Sequence, residues 1–82
     1  MTRTYRVTIT RKAGLSDPEG ATTRKALVDL GFSDIGTVSF GRIITLEVDA
    51  PDTSSGVSIV EQMCAKLLAN PVMEHFTIED VA

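Results

Sequence analysis

Eighty-two residues with a formal net charge of −3 and 43% hydrophobic side chains describe one small folded domain, 1–82, rather than a disordered tail. The acidic balance argues against a nucleic-acid binder, which needs positive charge clustered along the phosphates. No apolar run approaches the ~20 residues of a membrane span, and no charged segment leads into an apolar one as in a secretory signal, so the cytoplasm is the expected location.

Tyr5-Arg6-Val7-Thr8-Ile9-Thr10 alternates apolar and polar, the mark of a strand with one covered face. A loop over Arg11–Leu15 follows, with Gly14 as its turn residue. Asp17-Pro18 then starts a helix: Asp17 caps free backbone N–H groups, Pro18 suits the first position, and Glu19 suits the positive end of the dipole. That helix is expected to reach about Leu30, with Ala26, Leu27 and Leu30 on one stripe and Gly31 as a left-handed cap.

A second strand is expected over Gly36–Phe40, turning at Gly41-Arg42 into a third, Ile43–Val48. Pro51–Ser55 is a polar loop rich in helix caps. The second helix, Gly56–Ala69, carries Val57, Val60, Met63, Cys64, Leu67 and Leu68 at the spacing of one apolar stripe. Asn70-Pro71 closes it, with Asn70 taken as a left-handed C-cap, and Glu74–Glu79 forms the last strand. The order βαββαβ predicts an α+β, ferredoxin-like two-layer sandwich. Its four-stranded antiparallel sheet should run 4-1-3-2, with both helices on one face. The other face, with Arg6, Thr8, Thr10, Ile43, Thr45, Glu47, His75 and Thr77, stays uncovered.

This topology hosts unrelated functions, so chemistry must come from side chains. The lone Cys64 lies in an apolar stripe and reads as core; the lone His75 reads as a half-exposed strand residue. One of each supplies neither a metal cluster nor a motif-framed nucleophile and base. No phosphate-cradling Gly-rich loop with its lysine is present. Asp17 and Glu19 in the first loop would repel a phosphoryl substrate. With one tyrosine and three phenylalanines, the open face has no stacking platform for RNA. Arg3, Arg6, Arg11 and Lys12 form a solvated basic stretch or a local patch for an acidic partner. A chain of this size has a modest core, since about 60 residues bury only ~60% of their unfolded surface. Self-association is a natural way to bury more.

Several stretches together resemble the PurS family, the small subunit of phosphoribosylformylglycinamidine (FGAM) synthase. They are Asp17-Pro18-Glu19-Gly20, Leu30-Gly31-Phe32, Gly41-Arg42, Leu46-Glu47-Val48 and Lys66-Leu67-Leu68-Ala69-Asn70-Pro71-Val72-Met73-Glu74. The similarity runs from about Tyr5 to Glu79, and the last stretch is the most specific. The chain departs from the family's usual pattern at Ser16, where a large apolar residue is usual, at Ser39, usually basic, and at Arg42, usually lysine. The resemblance implies a non-catalytic subunit of an ATP- and glutamine-dependent ligase of purine biosynthesis. It would bring a glutaminase (PurQ-like) and an ATP-dependent synthetase (PurL-like) together for ammonia transfer, converting formylglycinamide ribonucleotide to its amidine. It implies a homodimer or homotetramer with no cofactor of its own; ATP, Mg2+ and glutamine would bind the partners. Lys12, Asp17, Pro18, Gly20, Gly41, Arg42, Asn70, Pro71 and Glu74 are the expected partner-docking residues. A small-molecule-sensing regulatory module of the same βαββαβ order is the alternative, with Gly14 in its ligand loop.

Overall fold

Alternation along the first strand sets the layout. In the computed structural model, which describes residues 1–81, that strand is β1 (Thr2–Arg11). Tyr5, Val7 and Ile9 are wholly buried on one side of it, while Arg6 and Thr10 are exposed on the other. β1 is central, antiparallel to β2 (Gly41–Asp49) and to β3 (Glu74–Asp80) in the order β2-β1-β3. Register places Leu46 and Ile44 opposite Tyr5 and Val7, and Ile78 and Phe76 opposite Val7 and Ile9. All of these side chains lie on the covered face, because alternate residues of paired strands share a side.

The cover is α2 (Thr53–Met63), which continues as one π-helical turn, Cys64–Leu68. It starts three residues before the expected Gly56, because the Asp52 carboxylate accepts the Ser55 N–H at 2.8 Å. Val60, Cys64 and Ala69 close the core over β1. The wider π turn changes the stripe. Leu68 and Ala69 face inward, whereas Leu67, placed on the stripe by α-helical spacing, rotates out and is 84% exposed. On the opposite face the eight expected residues share one polar surface, where Arg6 Nη1 pairs with Glu79 across strands at 2.9 Å.

The fold is α+β, but the sheet has three strands, not four: no strand forms over 36–40, and no hairpin turns at Gly41-Arg42. Gly41 is instead the first residue of β2, opposite Thr10. The reason lies in α1 (Pro18–Asp29), which claims the polar groups that a fourth strand would have used. Arg24 donates to the carbonyls of Gly36 (Nε, 2.9 Å) and Ile35 (Nη2, 3.4 Å). Asp17 accepts the Phe40 N–H at 2.8 Å. α1 ends as read, with Gly31 at φ +104°, its N–H on Val28 O and the Phe32 N–H on Leu27 O, closing the last turn. Yet α2 is the helix that packs on the sheet; α1 packs on no strand to a comparable extent. Its expected stripe is therefore open, with Ala26 exposed and Leu30 74% exposed. The molecule measures 51 × 26 × 14 Å, a flat body with residues 18–40 as an arm.

Candidate functional site

The end of β1 and the starts of β2 and β3 meet at one end of the sheet, with Thr10 opposite Gly41 and Arg11 opposite Glu74. Arg42, on β2, lays its guanidinium fork along the Glu74 carboxylate at 2.7 and 3.0 Å. The same fork donates to the carbonyl of Leu68 at 2.7 Å, an acceptor left free by the end of the π turn. Glu74 also accepts the Asn70 N–H at 2.8 Å. Ion pairing with Arg42 first, and the Asn70 N–H second, hold the Glu74 carboxyl below its ordinary range; Glu74 in turn raises the Arg42 guanidinium.

Asn70 does not cap the helix in a left-handed conformation, since no non-glycine residue described has positive φ. The helix ends through Ala69, whose backbone is extended. Asn70 organises the bend from its side chain instead. Its Oδ1 accepts the N–H groups of Val72 (3.0 Å) and Met73 (3.3 Å), and its carbonyl accepts those of Met73 and Glu74. Pro71 allows this because it has no N–H to place. The first loop is strapped to the bend by Lys12, whose N–H reaches Met73 O and whose ammonium reaches Pro71 O, both at 2.9 Å.

Asp17 is a second clasp. One oxygen accepts the Gly20 N–H at 2.9 Å and the other the Phe40 N–H, so one carboxylate caps α1 and ties both chains of the arm's neck. The Phe40 contact, then the Gly20 contact, keep its carboxyl below the usual range. Gly20 is buried because the Val38 carbonyl sits where a Cβ would project, and at Gly41 a Cβ would stand 2.6 Å from Ile9 O. Pro18 opens α1 as expected.

All nine expected docking residues thus sit at the sheet end and the neck. Seven of them, all but Pro18 and Gly41, take part in the hydrogen bonds just described, in three groups: Lys12 with Pro71, Asp17 with Gly20, and Arg42 with Glu74 and Asn70. A cleft of about 220 Å³ between Arg11, Asp17, Phe40, Arg42 and Glu74 opens beside them. The arrangement presents a stiff polar surface. It holds no paired nucleophile and base: Cys64 is buried in the core, with desolvation pushing its thiol up, while His75 stands opposite Thr10 on the open face. Among the described residues no three His, Cys, Asp or Glu side chains gather as a metal site. No described helix is long and apolar enough to cross a membrane.

Sequence reasoning missed a second feature, an apolar groove of about 420 Å³ between β2 and α2, bordered by Leu46, Ile59, Met63, Leu67 and Leu68. Its signal, Leu67 beside Leu68, reads as ordinary stripe until the π turn separates the two.

Comparison with known proteins shows the family. A family model described as PurS, phosphoribosylformylglycinamidine (FGAM) synthase, matches residues 4–82. The PurS subunit of FGAM synthase from Archaeoglobus fulgidus is 39% identical over 72 residues, covering 88% of this chain and 90% of that protein. Methanocaldococcus jannaschii PurS superposes with a TM-score of 0.84 at 35% identity, covering 98% of this chain and 95% of the other. A chain of the PurLQS structure from Thermotoga maritima superposes with a TM-score of 0.90 at 25% identity, covering 99% of both. By family match and by identity over most of its length, the chain belongs to the PurS family of FGAM synthase subunits.

Proposed function

We propose that this chain is the non-catalytic small subunit of a cytoplasmic FGAM synthase complex in purine biosynthesis, and that the clamped sheet end is where it holds its partners. A PurQ-like glutaminase would release ammonia, and a PurL-like synthetase would use it with ATP to form formylglycinamidine ribonucleotide. ATP, Mg2+ and glutamine belong to those partners. Free ammonia is captured by protons in bulk water, so closely held active sites deliver it in reactive form. The chain would also self-associate as a homodimer or homotetramer, as a ferredoxin-like half-sandwich lacking one strand and the cover of one helix.

The observation that carries this reading is the linkage of three separate segments, the first loop, the start of β2 and the Asn70–Glu74 bend, into one surface by Lys12, Arg42 and Asn70. Docking onto a preorganised surface loses less conformational entropy than docking onto loose loops.

Reconstitution tests it. Glutamine-dependent amidine formation by glutaminase and synthetase should require this chain, and synthesis from added ammonium should depend on it far less. Turnover by the isolated chain, or equal dependence with both nitrogen sources, would end the scaffold reading.

A further inference from the structure

A leucine pair at the end of α2 gives the core two ways to be closed. In α-helical winding Leu67, seven residues after Val60, lies about 20° from it around the helix axis, on the stripe that covers β1. The π turn puts its neighbour there instead. Leu68 is half-buried against the core, and Leu67 stands exposed on the rim of the groove between α2 and β2. Either winding buries one leucine side chain, so apolar burial does not choose between them.

Bonding within the helix favours the other winding. Cys64 O accepts the N–H of Ala69, five residues on, at 3.0 Å. An α turn would give that N–H to Ala65 O, and the rarity of π turns shows which pairing a helix adopts when nothing opposes it.

The opposing contacts come from the sheet end. Arg42 Nη2 donates to Leu68 O at 2.7 Å while the same fork grips Glu74. Glu74 Oε1 in turn accepts the Asn70 N–H at 2.8 Å, the donor that an α turn would send to Lys66 O. Arg42 and Glu74 thus hold the carbonyl before Ala69 and the N–H after it where π winding places them, with charge-assisted bonds of the stronger kind. Beyond them Pro71 has no N–H to prolong the helix, and its carbonyl is tied to the Lys12 ammonium at 2.9 Å.

We infer that the Arg42–Glu74 pair is a latch on helical register. Latched, residues 64–68 wind as a π turn with Leu68 inward and Leu67 on the groove rim. Unlatched, they wind as α-helix, Leu67 turns in and Leu68 turns out. The two states differ in which leucine borders the groove, so a contact that draws Arg42 away from Glu74 at the sheet end changes the groove wall. The latch works within one chain, whether or not the sheet end docks a partner.

NMR couplings across hydrogen bonds read the register directly, and no second copy can mimic them. In the wild-type chain the Ala69 nitrogen should couple to the Cys64 carbonyl carbon. Arg42→Met removes the fork and keeps an apolar stem; circular dichroism checks that it folds. Loss of its charge-assisted bonds should shift the register equilibrium by roughly tenfold or more, moving the coupling to Ala65. Glu74→Gln keeps Arg42 and the side chain's size; it should move the coupling in the same direction, and it carries the test if Arg42→Met does not fold.

Thiol labelling of Leu67→Cys gives the side-chain readout, at high dilution so that a second copy does not shield the site. Residue 67 should react rapidly beside wild-type Arg42 and about tenfold or more slowly beside Arg42→Met. The parent chains, which carry only buried Cys64, serve as blanks. An Ala69–Cys64 coupling unchanged in both latch variants, with residue 67 still reactive, would overturn the latch. So would a wild-type chain in which Ala69 already couples to Ala65.

Discussion

Replacing Asn70 with glycine separates the bend's internal architecture from its use as a docking surface. Glycine can adopt the bend's backbone but has no oxygen to offer Val72 and Met73. Met73 N–H keeps a second acceptor, the Asn70 carbonyl, so the net loss is one hydrogen bond, to the Val72 N–H. A lost bond costs roughly 0.5–1.5 kcal/mol, and glycine's added freedom when unfolded another ~0.5–1 kcal/mol. The sum, about 1–2.5 kcal/mol, lowers Tm by roughly 5–15 °C in a domain of this size, and differential scanning calorimetry reads it. Asn70→Asp keeps an acceptor oxygen for Val72 and Met73, removes the amide donors and adds a negative charge near Glu74. Its Tm, read at low and high salt to separate the charge, should therefore fall less than that of Asn70→Gly. If the bend docks a partner, Asn70→Asp should still weaken complex formation with glutaminase and synthetase. Wild-type stability in Asn70→Gly would refute the side-chain bend. Wild-type assembly in Asn70→Asp would confine the amide to a structural role.

Two further outcomes follow from packing and charge. Gly56→Ala would push a methyl group into the buried Tyr5 ring, whose Cζ would stand 2.6 Å away. Overpacking of this kind costs ~1–3 kcal/mol, and adding Tyr5→Phe should recover part of the loss, so urea unfolding with no change in Gly56→Ala would contradict the packing. The carboxyls of Asp17, Asp49, Asp52 and Glu74 all lie below their ordinary range, so their contribution is present above the unfolded carboxylate range and lost as pH falls through the folded values. Tm should therefore hold from neutral pH into mild acid and then drop below that range. Glu74→Gln should flatten the drop, and stability that rises on acidification would exclude this account.

Local chemistry made most elements legible. The Tyr5-Arg6-Val7 alternation of β1, the Asp17-Pro18 start, the Gly31 stop and the last strand depend on residues within a few positions of one another, and all formed near their expected places. The failures share a different cause. Whether residues 36–40 pair with β2 was decided by Arg24 and Asp17, twelve and twenty-three residues away from their partners Gly36 and Phe40. A strand's propensity does not show that competition. One π turn carries Leu67 off the apolar stripe, and nothing in Cys64-Ala65-Lys66 announces it. Asn before Pro suits a helix end and so points to a cap, but the Asn70 oxygen serves the residues after it.

The site was legible as words and not as a surface. Arg42 and Glu74 are thirty-two residues apart in sequence, and Lys12 and Pro71 fifty-nine, so their contacts exist only after β1 has gathered β2 and β3 on its two edges. Register then does the rest. Gly41 faces Thr10 and Glu74 faces Arg11, which brings the neck of the arm and the bend to the same end of the sheet. Any partner gripping the bend therefore lies next to the point from which the arm leaves. A shift of the arm would be felt at Phe40 and Asp17, beside the Arg42–Glu74 pair that borders the same cleft. If the bend is where a partner docks, a change in Ser39-Phe40-Gly41, which carries the Asp17 contact and the start of β2, should disturb docking as well as the arm.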